Sequence, residues 1–139
     1  MQNYDIFFYE NERAQLDQIA QWLQEFKSQG YKPTEITILS FRSTEACAAM
    51  RLKNEGFKLR PAWQTGAYTR YASIHAFKGM ENKVVILTDL VPGEQDFHRH
   101  LLYTGMTRAT ESVRVSCARD AQEYLVRWLD GNHPIGSPR

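Results

Sequence analysis

Lys83-Val84-Val85-Ile86-Leu87-Thr88-Asp89-Leu90 is dominated by valine, isoleucine and leucine. A strand with one wet face alternates apolar and polar residues. A near-solid run fits a parallel strand covered by helices on both faces. Val91-Pro92-Gly93 ends it. The segments on either side follow the same logic. Upstream, Asp5 to Tyr9 and Ile36 to Phe41 read as strands, and Arg70 to Ile74 as another, with a short one over Phe57 to Leu59. Leu16, Ile19, Ala20, Leu23 and Phe26 recur at helical spacing, which predicts a helix over Glu12 to Gln29 ending at Gly30. Ser43 is a good N-cap for a helix through Asn54, with Gly56 as its stop.

Downstream, Asp96 to Ala109 is expected to be helical, Ser112 to Cys117 a strand and Ala121 to Leu129 a last helix. Arg60 to Tyr68 reads as a loop, and 131–139 as a flexible tail after a single domain over 1–130. Strands alternating with helices predict an α/β fold of three layers around a mainly parallel sheet. Ligands of such sheets gather at the carboxyl ends of the strands. Arg42 and the two polar boxes described below are expected to face that edge.

The chain has 139 residues and a net charge of +1. It has no apolar run of the roughly 20 residues a membrane span needs. The start, Met1-Gln2-Asn3-Tyr4-Asp5, does not resemble a signal peptide. Cys47 and Cys117 sit in apolar surroundings, which favours buried thiols over a disulfide. A cytoplasmic setting fits these features. Charge is uneven: residues 56–90 hold five basic side chains (Lys58, Arg60, Arg70, Lys78, Lys83) against two acidic ones (Glu81, Asp89). Ordinary solvated charge would explain that too.

The first box is Ile74-His75-Ala76-Phe77-Lys78-Gly79-Met80-Glu81. Gly79 permits a tight turn and close approach to a ligand. Lys78 offers a point charge for phosphate, His75 two ring nitrogens, and Glu81 an acceptor for sugar hydroxyls or a cation. A polar turn leaving a strand would look similar. The second box is Leu101-Leu102-Tyr103-Thr104-Gly105-Met106-Thr107-Arg108-Ala109. An arginine late in a helix often does no more than answer the carbonyl end of the dipole. Trp63, Tyr68 and Tyr71, interleaved with Arg60 and Arg70, suit either base stacking or core packing. His98 and His100 lack metal-ligand spacing with the cysteines, so no metal site is expected.

Taken together, the boxes resemble motifs V (about 73–81) and VI (about 101–109) of the UvrD-like superfamily 1 helicases, in their second, C-terminal RecA-like motor domain. Motif V runs Thr-x-His-x-x-Lys-Gly-Leu-Glu before an apolar strand. Motif VI is commonly Tyr-Val-Ala/Gly-Leu/Met-Thr-Arg-Ala. Ile36 to Arg42, an apolar strand ending in Phe41-Arg42, resembles motif IV. Met80 replaces leucine, and Asn82-Lys83 replace the usual Phe-Asp pair.

The resemblance, which covers Ile36 to Cys117, implies roles. Ser73, His75 and Lys78 would lie near a bound single strand of DNA, and Gly79 and Glu81 near the nucleotide. Arg108 would be an arginine finger on the γ-phosphate and Arg42 a second phosphate-facing cation. It further implies a DNA helicase or translocase that uses ATP and Mg2+ shared with an N-terminal RecA-like motor domain. The chain has no Gly-x-x-x-x-Gly-Lys-Ser/Thr loop and no apolar strand ending in Asp-Glu. Taken alone, it is expected not to hydrolyse ATP. The rival expectation is a non-enzymatic, helicase-derived module that binds protein or nucleic acid.

Overall fold

The structure is a computed structural model in which residues 3–77, 79–91 and 96–130 are described. Lys78, the Pro92-Gly93 turn and the 131–139 stretch of the sequence reading lie outside the described residues.

Six strands form one sheet: β1 (Asn3–Tyr9), β2 (Ile36–Ser40), β3 (Leu59–Pro61), β4 (Thr69–Ser73), β5 (Asn82–Leu90) and β6 (Ala109–Ala118), in the order β1-β6-β5-β2-β4-β3. Every pairing is parallel. The helices are α1 (Glu12–Ser28), α2 (Ala48–Asn54), α3 (Asp96–Met106) and α4 (Gln122–Leu129).

Side chains of a strand alternate between its two faces, and each face has its own core. Ile38, Val84 and Ile86 pack with Leu16, Ile19, Trp22 and Phe26 of α1 and Leu52 of α2. Leu39, Val85 and Leu87 pack with Leu102 of α3 and with Leu125 and Trp128 of α4. The β5 run from Val84 to Leu90 is therefore buried throughout. Its composition reflects burial on two faces, at about 1.5–3 kcal/mol per fully buried aliphatic side chain.

Three boundaries differ from the sequence reading. First, the helix expected from Ser43 is split. Thr44–Ala46 is a 3-10 turn, Cys47 is extended (φ −82, ψ 162), and α2 begins at Ala48. The amide of Ala48 donates to Asp89 Oδ2 at 3.0 Å, so a residue distant in sequence starts this helix. Second, β3 begins at Leu59 because Gly56 and Phe57 finish α2. Gly56 is left-handed (φ 105) and Phe57 N donates to Leu52 O at 3.1 Å. Arg60 and Pro61 thus belong to a strand rather than the loop. Third, α3 stops at Met106. Asn82 N takes the carbonyl of Arg108 at 2.8 Å, and Ala109 already pairs with Asn82 as the first residue of β6.

Both cysteines are free and buried, Cys47 at 1% and Cys117 at 0% exposure. Burial pushes the Cys117 thiol up to about 12, and it raises Cys47 as well. The thiolate is the reactive form. At pH 8 both thiols are expected to resist a thiol-labelling reagent in the folded chain and to react fully in denaturant. Fast labelling of the native protein would contradict the burial.

Candidate functional site

In an all-parallel sheet every strand ends at the same edge, and each covering helix carries the chain back to the other. That constraint sorts the candidate residues into two sets.

The carboxyl edge holds Arg42 after β2, and Ser73 and His75 around the end of β4. Ser40 pairs with Ser73 at the ends of the neighbouring strands β2 and β4, so Arg42 and His75 each follow the last paired residue by two positions at this edge. Arg42 is exposed, and its amide donates to Ser40 Oγ at 2.8 Å. Ser73 N donates to Thr44 Oγ1 at 3.1 Å, and Ser73 Oγ accepts from Ala76 N at 3.1 Å. The serine thereby starts the 3-10 turn His75–Phe77, in which His75 and Ala76 are exposed and Phe77 is buried. Tyr9, the last residue of β1, stands at the same edge. Its phenol is pushed up to about 12, chiefly by burial, with Asp89 raising it further and Arg42 opposing. It is a neutral hydroxyl at any physiological pH.

Beneath this edge lies a buried polar network absent from the sequence reading. Asp89 is 3% exposed and has the left-handed backbone (φ 65) that non-glycine residues rarely adopt. Its Oδ2 accepts from Ser40 Oγ (2.6 Å), Thr88 Oγ1 (3.0 Å) and Ala48 N (3.0 Å), and its Oδ1 from Gln15 Nε2 (3.2 Å). Gln15 Oε1 in turn accepts from Asp89 N and Ser116 Oγ, both at 2.8 Å. The link from Asp89 through Ser40 to the Arg42 amide positions the exposed arginine over a rigid base. An acidic residue inside a Val/Ile/Leu run was the one available signal.

The amino edge holds the other set. Gly79 and Glu81 are exposed and lead into β5. Gly79 is left-handed (φ 80), and nothing within 4 Å would meet an added methyl group, so the turn's geometry rather than crowding favours glycine. Arg108 lies beside them, its carbonyl bonded to Asn82 N. Asn82 uses its polarity where the family pattern has an aromatic. Its Nδ2 donates to Thr34 O and Thr37 Oγ1, both at 2.9 Å, tying this loop to the start of β2. Lys83 reaches Glu35 at 2.8 Å.

The Arg108 guanidinium is half-buried. Its Nη2 lies 3.4 Å from Thr107 Oγ1, while its Nε is buried with no hydrogen-bond partner. Buried donors are rarely left unpaired, because the desolvation cost is about 1–3 kcal/mol or more. Gly105 brings this helix close to the sheet; an added methyl would sit 2.7 Å from Leu87 Cδ2. Tyr103 is a packing residue, its hydroxyl donating to Trp128 O at 3.0 Å.

The expectation that all these residues share the carboxyl edge is therefore corrected. Gly79 and Glu81 are at the amino edge because they lead into β5, and Arg108 is there because α3 returns the chain before β6 begins. Arg42 and Arg108 are also apart. Phe41 N bonds Thr88 O, whereas Arg108 is level with Asn82. Six residues of β5 separate those levels, about 20 Å at ~3.3 Å per residue. Among the described residues no three His, Cys, Asp or Glu side chains cluster as metal ligands, and no helix is long and apolar enough to cross a membrane.

Residues 69–116 match the family described as the UvrD-like helicase C-terminal domain. That span contains β4, both boxes, β5, α3 and most of β6. Among solved structures, the C-terminal domain of a possible DNA helicase from Lactobacillus plantarum WCFS1 is similar, with a TM-score of 0.66 and 20% identity over 84% of this chain and 73% of that one. At that identity the likeness concerns the fold, a RecA-like α/β layer structure. No curated protein matches the chain.

Proposed function

We propose, from the match of residues 69–116 to the UvrD-like helicase C-terminal domain, that this domain is the second motor domain of an ATP-driven DNA helicase or translocase. In this reading its two edges have separate duties. The amino edge closes on the nucleotide, and the carboxyl edge carries the single strand.

The observation that carries this reading is the unpaired, buried Nε of Arg108. It sits at a half-open edge beside Gly79 and Glu81. A guanidinium whose Nε lacks an internal partner, and whose Nη2 has only a 3.4 Å contact to Thr107 Oγ1, suits an anion that arrives from outside the domain. Its planar fork matches phosphoryl oxygens and stabilises the charge they share in the transition state. Glu81, exposed one residue before β5, would accept from ribose hydroxyls. Gly79 keeps the backbone open to close approach. The sequence lacks a phosphate-cradling loop and a magnesium-holding Asp-Glu, so the partner motor domain would supply both. Bound ATP–Mg2+ supplies the phosphoryl chemistry. The residues of this chain orient it, neutralise charge and sense its loss.

At the carboxyl edge Arg42, Ser73 and His75 offer a cation, a hydroxyl and an imidazole to a phosphate backbone. Arg42 is assigned there rather than to the nucleotide, because the sheet sets it about 20 Å from Arg108 along the strands. Such contacts are read through counterion release. Replacing Arg42 with alanine is expected to weaken single-strand binding similarly for all sequences and to reduce the salt slope by about 1. Titration of short oligonucleotides at several salt concentrations checks this, and an unchanged slope would remove Arg42 from the interface. The reading as a whole is tested by ATP turnover in a protein joining this domain to its P-loop partner, measured with and without single strands. Turnover indifferent to the strand would overturn it.

A further inference from the structure

We infer that Trp63 is a stacking platform for an unpaired base of the single strand, extending the carboxyl-edge track beyond Arg42 and His75. The inference rests on the proposed assignment of that edge to nucleic acid.

Among the aromatic candidates of this region the structure separates core from surface. Tyr71 is 0% exposed, inside the α1/α2 core. Tyr68 is half-buried beneath Arg60, whose guanidinium lies 4.3 Å from the ring centre. Among the described residues Trp63, at 64%, is the most exposed of the large apolar side chains. An indole left in water forgoes the burial free energy it would gain in a core, part of which a stacked base would restore.

The loop that carries Trp63 is braced. Gln64 N closes a turn on Pro61 O at 3.0 Å, and Ala62 N donates to Tyr71 O at 2.9 Å. Arg70 donates to the carbonyls of Gln64 (2.5 Å) and Gly66 (2.9 Å), and Arg60 to Gln64 Oε1 (3.1 Å) and Tyr68 OH (3.2 Å). Two arginines thus tie down the loop that follows the indole, and the Pro61–Gln64 turn closes around it. A loop braced before binding loses little entropy when a base lands on the ring it carries.

Register sets Trp63 at the proposed track. Pro61 is level with Tyr71, and Ser73 is level with Ser40. The loop therefore leaves β3 at the edge where Arg42, Ser73 and His75 stand, two strands over from Arg42. Charge favours the same occupant: Arg42 stands exposed at this edge, and Arg60 and Arg70 hold the loop itself. Exposed rings beside cations bind single strands without reading sequence, because every base presents a π-face.

The test uses intrinsic fluorescence of the full chain. Trp22 and Trp128 are 3% and 7% exposed, so acrylamide quenching in solution reports chiefly on Trp63. Short oligo(dT) should quench that emission and shield it from acrylamide. Trp63→Ala is expected to weaken oligo(dT) binding about 5- to 150-fold, the equivalent of ~1–3 kcal/mol per stacked base. It should leave binding of an abasic oligonucleotide of the same length unchanged, and Trp63→Phe should retain most of the affinity. An unchanged far-UV spectrum and melting temperature would show that the exposed substitution does not disturb folding. If both oligonucleotides bind as before and Trp63 stays open to acrylamide, stacking is overturned and the carboxyl-edge assignment survives. If neither oligonucleotide binds, both fall together.

Discussion

Arg108→Ala, made in a protein that joins this domain to its P-loop partner, is expected to lower strand-stimulated ATP turnover by about 10³–10⁵-fold, the range for arginine fingers. Nucleotide affinity should change far less. The contrast follows from the geometry proposed for the amino edge. The Nε of Arg108 is buried and unpaired, and the neighbouring turn at Gly79 and Glu81 is open. A group that completes its hydrogen bonds only on transferring phosphoryl oxygens acts on the barrier more than on binding. Arg108→Lys keeps the charge and should still lose most of the rate, because an ammonium offers no planar fork. Full turnover in Arg108→Ala would end the finger assignment and leave the unpaired nitrogen without a function.

The second large effect concerns stability. Asp89→Ala should destabilise the fold by about 2–4 kcal/mol, since it strands buried donors from Gln15, Ser40, Thr88 and the Ala48 amide together. Each donor comes from a different piece of the molecule: α1, β2, β5 itself and the start of α2. Alanine also keeps the left-handed backbone (φ 65), which costs an L-residue about 1–2 kcal/mol. Asp89→Gly loses the same hydrogen bonds but relieves that strain. It should therefore be less destabilised than Asp89→Ala by about that amount. Urea unfolding of the two variants measures both contributions. An alanine variant within about 0.5 kcal/mol of the parent, the usual range of surface changes, would mean the network contributes nothing net. Because Ser40 Oγ also accepts from the Arg42 amide, Asp89→Ala is further expected to loosen single-strand binding, by moving the arginine rather than removing it.

Much of this molecule was legible in its residues. The β5 run announced a strand buried on both faces. Of the stripe expected on α1, Leu16, Ile19 and Phe26 are buried, while Ala20 and Leu23 are half-buried and Trp22 takes their place in the core. The two boxes carried a family resemblance that the match over residues 69–116 bears out. Local signals failed where a distant atom took over a local task. Ser43 satisfies the usual pattern of a helix start, yet the helix starts at Ala48, whose amide is held by Asp89. Gly56 and Phe57 are spent closing α2, which moves β3 two residues onward. Neither event is visible within a window of neighbouring residues.

Sequence periodicity was enough to determine that helices and strands alternate, that a central strand is wholly enclosed, and which side chains are chemically suited to phosphates and sugars. Tertiary structure alone decided where those side chains meet. The sequence reading gathered Arg42, Gly79, Glu81 and Arg108 at one rim. A parallel sheet sends its strands out at one edge and returns the chain through its helices to the other, so Arg42 stays at the first and Arg108 reaches the second. The separation of the two edges is a property of strand direction and register, which no single residue encodes.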